Sequence, residues 1–328
     1  MPERALGEHW PEFDQRGWLG ADAFASRGLE LAAVRAVARG GLGAGRVFDG
    51  HRNAVERLLE HRPDDVAPEL RAEVASGSLR LGVWGADPGP ADGTPACLDP
   101  GGQTVTGVKT FCSGAGHVDA AIVLVRREFD GPPILPVLLD VRDTGRAQVD
   151  TGWFVSPVLA ESHSHRVEFA GAPVLAVLGT EGTLTEDPWF SGDALRSSAV
   201  WAGAADVLVE RMAAAGRDDD AALEALGRAT AILGTVDAWL AAGARAVDAA
   251  HEDGSDPWPV IAALRLELTE RLRELLRLSA EHLGSRGLVT DDAFHEARSG
   301  LDVLLLQHRL APAAVRLGRQ AHRPAVFA

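Results

Sequence analysis

Apolar and polar residues in the first 78 positions follow the period of α-helices. The pattern predicts three helices, over residues 29–39, 47–59 and 67–75. In the first of them, Leu31, Val34 and Ala38 fall at positions i, i+3 and i+7, which places them on one helical face. We therefore expect a helical N-terminal domain over residues 1–78.

From residue 79 the apolar positions form short β-branched runs separated by Gly, Pro and Asp. The runs predict seven strands, over residues 79–84, 103–112, 120–126, 134–140, 147–154, 166–169 and 176–178. Because no helical segment lies between them, we expect antiparallel pairing rather than strand–helix–strand units. These strands predict a β-domain over residues 79–180.

The helical period returns in residues 190–328. It predicts helices over residues 192–214, 219–248, 258–283 and 291–321. We expect a break or bend near Gly234 in the second helix and a kink or break at Pro312 in the last, where the proline ring removes a backbone hydrogen bond. Four amphipathic helices with short connections indicate an antiparallel four-helix bundle. The fold class is α+β, ordered helices, β-domain, helical bundle.

Composition narrows the classes of function. Hydrophobic residues make up 46% and charged residues 24% of the chain, as in ordinary globular proteins. The net charge of −15 disfavours nucleic-acid and anionic membrane partners, because both bind positively charged surfaces. Cys97 and Cys112 lack metal-ligand spacing, and we find no signal peptide or membrane-length apolar run. We therefore expect a cytoplasmic protein that binds a small molecule.

One basic residue type is almost missing. Lys109 is the only lysine in the sequence, against 31 arginines. In a chain that uses arginine nearly everywhere else, a retained lysine indicates a tight structural or functional requirement. It lies in residues 107–115, which read Gly-Val-Lys-Thr-Phe-Cys-Ser-Gly-Ala.

That segment resembles the signature of the acyl-CoA dehydrogenase family of flavoproteins: glycine, lysine, an aromatic, Ile, Thr or Ser, Asn, then Gly or Ala. The order of helical and β-domains is also similar to the family's. The resemblance implies bound FAD, with the aromatic side chain packed over the flavin ring and the hydroxyl bonded to it. By position these are Phe111 and Ser113. Residues 81–88 resemble the family's Thr-Glu-Pro loop, which adds Trp84 and Gly85 as cofactor-binding candidates.

The C-terminal half departs from the family's pattern. Counting from Arg298 to the position of the family's catalytic glutamate leads to Gln307, whose amide cannot accept a substrate proton. Glu281 replaces a glutamine in the turn that approaches a neighbouring subunit's FAD, where its charge would repel a pyrophosphate. The family's Arg-x-x-Phe-Gly motif has no counterpart. The catalytic residue is therefore unknown.

A metal site receives little support. His163 and His165 are two positions apart, so that on a strand they would point to one side. A third ligand is not evident in the sequence, and we assign no metal.

Three functional hypotheses remain. The first is an acyl-CoA dehydrogenase-like, FAD-dependent oxidoreductase acting on an acyl thioester such as an acyl-CoA. The second is a flavin-dependent monooxygenase on the same fold, which needs no glutamate base. The third is a non-catalytic binding or assembly protein that has lost the cofactor. The resemblance implies a homodimer or homotetramer in each case.

Overall fold

The computed structural model describes residues 6–127, 131–132, 134–307 and 310–322. The chain divides into two compact units. The first unit consists of Met1–Glu30 and Gly43–Phe190, and the second of Leu31–Leu42 and Ser191–Ala328. The division into domains at 1–78, 79–180 and 190–328 follows element type instead, and it stays a prediction.

The N-terminal helices form where the apolar period predicts them. They are Leu6–Gln15 (α1), Arg27–Gly40 (α2), Leu42–Glu56 (α3) and Pro68–Ser76 (α4). α3 continues into one turn of π-helix, Arg57–His61. α4 begins with Pro68, whose missing N–H is not needed in a first turn, and ends at Gly77 in the left-handed region (φ +77°).

Within the described residues the sheet has seven strands. They are Leu81–Trp84 (β1), Cys97–Leu98 (β2), Thr104–Cys112 (β3), Ala120–Val125 (β4), Leu135–Asp140 (β5), Ala147–Asp150 (β6) and His165–Val177 (β7). Their order is β1-β4-β5-β7-β3-β2, and β6 also pairs with β7. β7 joins the two regions predicted as separate strands, and Gly171 (φ +76°) interrupts its regular pleat.

The expectation of purely antiparallel pairing is wrong for one pair. β1 and β4 run parallel, with Leu81 opposite Ala120 and Trp84 opposite Val123. The chain leaves β1, forms β2 and β3 and then returns beside β1, so the connection is a crossover instead of a hairpin. The other strand pairs are antiparallel, and the sheet is therefore mixed.

A shared apolar core holds α3 and α4 against the sheet in the first unit. Leu58 and Val74 from the helical segments pack with Leu81, Ile122 and Leu138 from the strands, and all five are buried. Burying a side chain of this size stabilises the fold by about 1.5–3 kcal/mol. The sheet is thereby packed against these helical segments.

The second unit is helical. Its helices are Trp189–Ala214 (α5), Asp220–Asp253 (α6), Trp258–Thr290 (α7), Asp292–Leu306 (α8) and Ala311–His322 (α9), together with most of α2. Gly203 of α5 lies against α2, where an added Cβ would stand 2.6 Å from the carbonyl oxygen of Arg35. No helix in the described part of the chain is long and apolar enough to span a membrane.

Helices α6 and α7 differ from the expectation. α6 passes through Gly234 without a break, and α7 continues beyond Leu283 to Thr290 across a kink at Gly284. The predicted break near Pro312 is present: α8 ends at Leu306, and Pro312 is the second residue of α9, in a turn that does not need its N–H.

Candidate functional site

A bulge in β3 turns one aromatic side chain outward. Lys109 pairs with Val167 and Cys112 with His165, so two residues of β3 face one residue of β7. Phe111 lies in this bulge with φ +52°, and its side chain is 54% exposed. A non-glycine residue in the left-handed region is uncommon, and bulges often redirect a side chain next to a functional site.

Trp153 completes an aromatic surface beside Phe111. Its ring meets the Phe111 ring edge to face, with centroids 4.9 Å apart. The indole N–H donates to Asp92 Oδ1 at 2.8 Å, which fixes the ring's orientation. The sequence prediction missed Trp153, because it extended β6 through residue 154. The one indication of this surface in the sequence was a tryptophan directly after the turn residue Gly152.

Lys109 stabilises the strand and loop next to this aromatic surface through three hydrogen bonds. Its ammonium donates to the carbonyl oxygens of Gly85 and Leu124, both at 2.8 Å, and to Asp87 Oδ1 at 2.7 Å. The side chain is fully buried, and burial lowers its pKa while the hydrogen bond to Asp87 opposes that shift. Arg126 also donates to Asp87, at 2.6 Å. The lysine is a structural cation that attaches the loop after β1 to β3 and β4.

Trp84 and Gly85 belong to the same support. Trp84 is buried, stacks with Phe169 at 6.4 Å and donates its indole N–H to the carbonyl oxygen of Ser113 at 2.9 Å. Gly85 is exposed, and its carbonyl accepts from Lys109. The structure thus joins Trp84 to Ser113 and Gly85 to Lys109, on the segment that also carries Phe111. Their contact with a cofactor stays a prediction.

Ser113 belongs to a row of three hydroxyl groups. Its Oγ lies 2.9 Å from Ser164 Oγ, which lies 2.7 Å from Ser162 Oγ. Ser162 Oγ donates to the carbonyl oxygen of Leu159 at 2.7 Å. Ser113 is half-buried, whereas Ser162 and Ser164 are buried. Sequence reasoning found Ser113 and missed the two serines behind it.

Three histidines lie on the adjoining loops. The His117 and His163 rings are 4.2 Å apart, and the His163 and His165 rings 5.6 Å apart. Burial, with the charges of His117 and His165, lowers the pKa of His163 to about 4, and burial also lowers the pKa of the other two. Across the described residues no group of three or more side chains could hold a metal ion.

The departures from the family's pattern lie in the second unit. Gln307 is exposed directly after α8, and its backbone N–H donates to the carbonyl oxygen of Leu304. Glu281 is exposed on α7 and pairs with Arg277 at 2.6 Å, within its own helix. Its carboxylate is thus matched locally by a cation one helical turn earlier.

No family model matches the sequence, and no curated protein matches it. The chain is, however, similar to several solved structures. An acyl-CoA dehydrogenase from Geobacillus kaustophilus is 15% identical and matches with a TM-score of 0.78 over 96% of this chain and 90% of that chain. The FMN-bound form of TdsC from Paenibacillus sp. A11-2, a dibenzothiophene monooxygenase, is 19% identical, with a TM-score of 0.71 over 94% of this chain and 86% of that chain.

A third solved structure, PigA with FAD and proline, is 16% identical, with a TM-score of 0.73 over 97% of this chain and 90% of that chain. Identities of this size carry information about the fold alone. The order of elements, N-terminal helices, mixed sheet and helical second unit, agrees with these matches. The chain has the acyl-CoA dehydrogenase fold.

Proposed function

We propose that the protein is a flavin-dependent oxidoreductase, and that the surface formed by Phe111, Trp153 and Ser113 contacts the flavin ring. The observation that carries the proposal is the bulge that holds Phe111 outward in a strained conformation. A flavin ring has apolar faces and a polar edge, so it requires an aromatic or aliphatic side chain and a few hydrogen-bonding groups. The exposed Phe111 and the adjacent Ser113 hydroxyl fit both requirements.

Oxygen-dependent monooxygenation fits the chain better than dehydrogenation of acyl thioesters. Gln307 occupies the position that the resemblance assigns to the catalytic base, and an amide does not take up a proton near neutral pH. A structural match that binds FMN is a monooxygenase. When bound, a reduced flavin would supply the two electrons and two protons needed for dioxygen to give one oxygen atom to the substrate and the other to water.

The chain's own residues would orient the ring and exclude water from it. Phe111 and Trp153 cover apolar surface, and Ser113 offers a hydroxyl to the polar edge. Lys109 and Trp84 keep these groups in place through their hydrogen bonds to Gly85 and to the Ser113 carbonyl. Because this surface needs only the ring, it fits FMN and FAD alike. The substrate would be a small molecule.

Flavin binding by the purified protein tests the proposal. Oxidised and anaerobically reduced FMN and FAD are titrated with wild type, Phe111→Ala and Phe190→Ala, the last a similarly exposed phenylalanine and the matched control. We expect binding by wild type and control, and about tenfold weaker binding by Phe111→Ala, the equivalent of roughly 1.4 kcal/mol. Circular dichroism checks that each variant is folded.

Two outcomes would contradict parts of the proposal. A wild type that binds neither flavin in either redox state would support the non-catalytic hypothesis. Anaerobic bleaching of the bound flavin by acyl-CoA thioesters would show dehydrogenation, and the monooxygenase assignment would then be wrong.

A further inference from the structure

The hydroxyl groups of Ser113, Ser164 and Ser162 form a hydrogen-bonded row with a defined direction. A carbonyl oxygen only accepts hydrogen bonds, so the 2.7 Å contact between Ser162 Oγ and Leu159 O requires the Ser162 proton. A serine hydroxyl carries one proton. Ser162 Oγ must therefore accept at its 2.7 Å contact with Ser164, and Ser164 must donate there.

The same reasoning extends to Ser113. The Ser164 proton is used toward Ser162, so Ser164 Oγ can only accept at its 2.9 Å contact with Ser113. Ser113 must donate inward, since two facing lone pairs would otherwise repel. The hydroxyl oxygen of Ser113, a half-buried residue, then presents lone pairs and no proton on the side away from Ser164. In effect, the carbonyl of Leu159 sets the hydrogen-bonding character of Ser113.

The backbone keeps the row rigid. The N–H of Gly114 donates to the carbonyl oxygen of Ser162 at 2.8 Å, and the N–H of Ala115 donates to that of His163 at 3.2 Å. Ser162 is 1% exposed and Ser164 8% exposed, which leaves little room for water to reverse the row. Hydrogen bonds in a buried chain also polarise one another in the same direction.

We propose that Ser162 and Ser164 hold Ser113 as a hydrogen-bond acceptor, so that this surface selects the reduced form of a flavin. The proposal rests on the proposed function. Reduction by two electrons and two protons converts ring nitrogens from lone-pair acceptors into N–H donors. An acceptor oxygen attracts an N–H group and repels a lone pair, so the two redox states bind with different affinity. Ser162 and Ser164 are positioning residues, because they act through Ser113.

The preference has a measurable equivalent. Each factor of ten in the ratio of the two dissociation constants raises the two-electron potential of the bound flavin by about 30 mV. This selectivity suits an oxidoreductase that binds reduced flavin and, after the reaction, releases oxidised flavin. The ratio of the two dissociation constants also distinguishes the role of the serine row from a general contribution to flavin binding, which would alter both affinities equally.

Binding of oxidised and anaerobically reduced FMN to wild type, Ser164→Ala and Ser162→Ala tests the inference. Wild type is expected to bind reduced FMN at least tenfold more tightly than oxidised FMN, and each variant to lower that ratio about tenfold, since Ser113 is then free to turn its proton outward. Ser78→Ala is the matched control. It removes a hydroxyl from a similar row on the surface, where Ser78 Oγ lies 2.7 Å from Ser76 Oγ and Ser76 Oγ donates to the carbonyl oxygen of Glu73.

The outcomes separate the two proposals. Failure of wild type to bind FMN in either state would refute the proposed function. Binding with the same affinity ratio in wild type and in the folded serine variants would leave the proposed function intact and overturn the role of the row. Two variants are used because either one suffices if the other does not fold, as checked by circular dichroism.

Discussion

Lys109 explains at the scale of one residue why a chain so rich in arginine keeps a lysine. Its three acceptors surround one nitrogen at 2.7–2.8 Å, and the side chain has no exposed surface. An ammonium group is compact and directs three protons to three sides. A guanidinium group is planar and wider, so it cannot occupy the same space with the same hydrogen bonds. The compositional anomaly has a structural cause.

Replacing this cation therefore carries a large cost in stability. Lys109→Arg is expected to lower the free energy of unfolding by about 2–4 kcal/mol, through overpacking and lost hydrogen bonds. The matched control is Arg16→Lys, at an exposed ion pair with Glu12, where a change within about 0.5 kcal/mol is expected. Urea unfolding followed by circular dichroism measures both. Equal stability of Lys109→Arg and wild type would contradict the structural role.

Residue patterns revealed part of the candidate site. Phe111 and Ser113 could be found because they belong to one continuous segment around an unusual lysine. Trp153 and Ser164 could not, because they approach that segment only through the pairing of β7 with both β3 and β6. Ser164 lies 51 positions from Ser113 in sequence. A single sequence contains no signal for such a contact.

At the scale of elements, hydrophobic period and turn residues predicted the existence of helices and strands better than their boundaries. Glycine in a helix costs about 1 kcal/mol relative to alanine, which favoured a break or bend at Gly234. Packing overrides that cost in α6: Val236 and Leu240, on the following turns, are buried. At Gly284 the backbone leaves the helical region (φ +64°), and α7 resumes on the other side.

These two glycines predict opposite effects of the same substitution. Gly284→Ala is expected to destabilise the protein by about 1–2 kcal/mol, because alanine is strained in the left-handed region. Gly234→Ala is expected to stabilise it by about 0.5–1 kcal/mol, because alanine favours a helix and a Cβ there has no atom within 4 Å. Thermal unfolding of the two variants compares them directly. Effects of the same sign would contradict the kink.

At the scale of the whole molecule, the order of helices, sheet and helices was predictable and is confirmed. Each segment's period is a local property, and the short connections restrict how neighbouring elements meet. The parallel pairing of β1 with β4 was not predictable in the same way, because it depends on a crossover through β2 and β3. Strand pairing is a property of the complete sheet.

Acid stability is also a property of the whole chain, and buried histidines contribute to it. His51 is fully buried, accepts from the N–H of Leu81 at Nδ1 (3.1 Å) and donates from Nε2 to the carbonyl of Leu19 (3.0 Å). Burial and the charge of Arg52 lower its pKa to about 3, and His163 is lowered to about 4. Neither histidine takes up a proton readily while the protein is folded.

Stability should therefore fall on acidification. Unfolded histidine binds its proton near pH 6.5, so the stabilisation is complete above that pH and is lost as the pH falls toward the folded values. Between pH 7.0 and 4.5 the contribution of His51 alone is about 2–3 kcal/mol, from two pKa units at about 1.4 kcal/mol each. Urea unfolding at the two pH values measures the loss.

The variant His51→Gln identifies the residue responsible. We expect it to be less stable than wild type at pH 7.0 by about 1–3 kcal/mol, because a buried hydrogen-bonding group is replaced. It should also lose about 2–3 kcal/mol less than wild type on acidification, since the titrating group is gone. His295→Gln, an exposed histidine on α8, makes the same chemical change and should alter stability at pH 7.0 by less than about 0.5 kcal/mol. An unchanged pH dependence in His51→Gln would show that other groups carry the acid response.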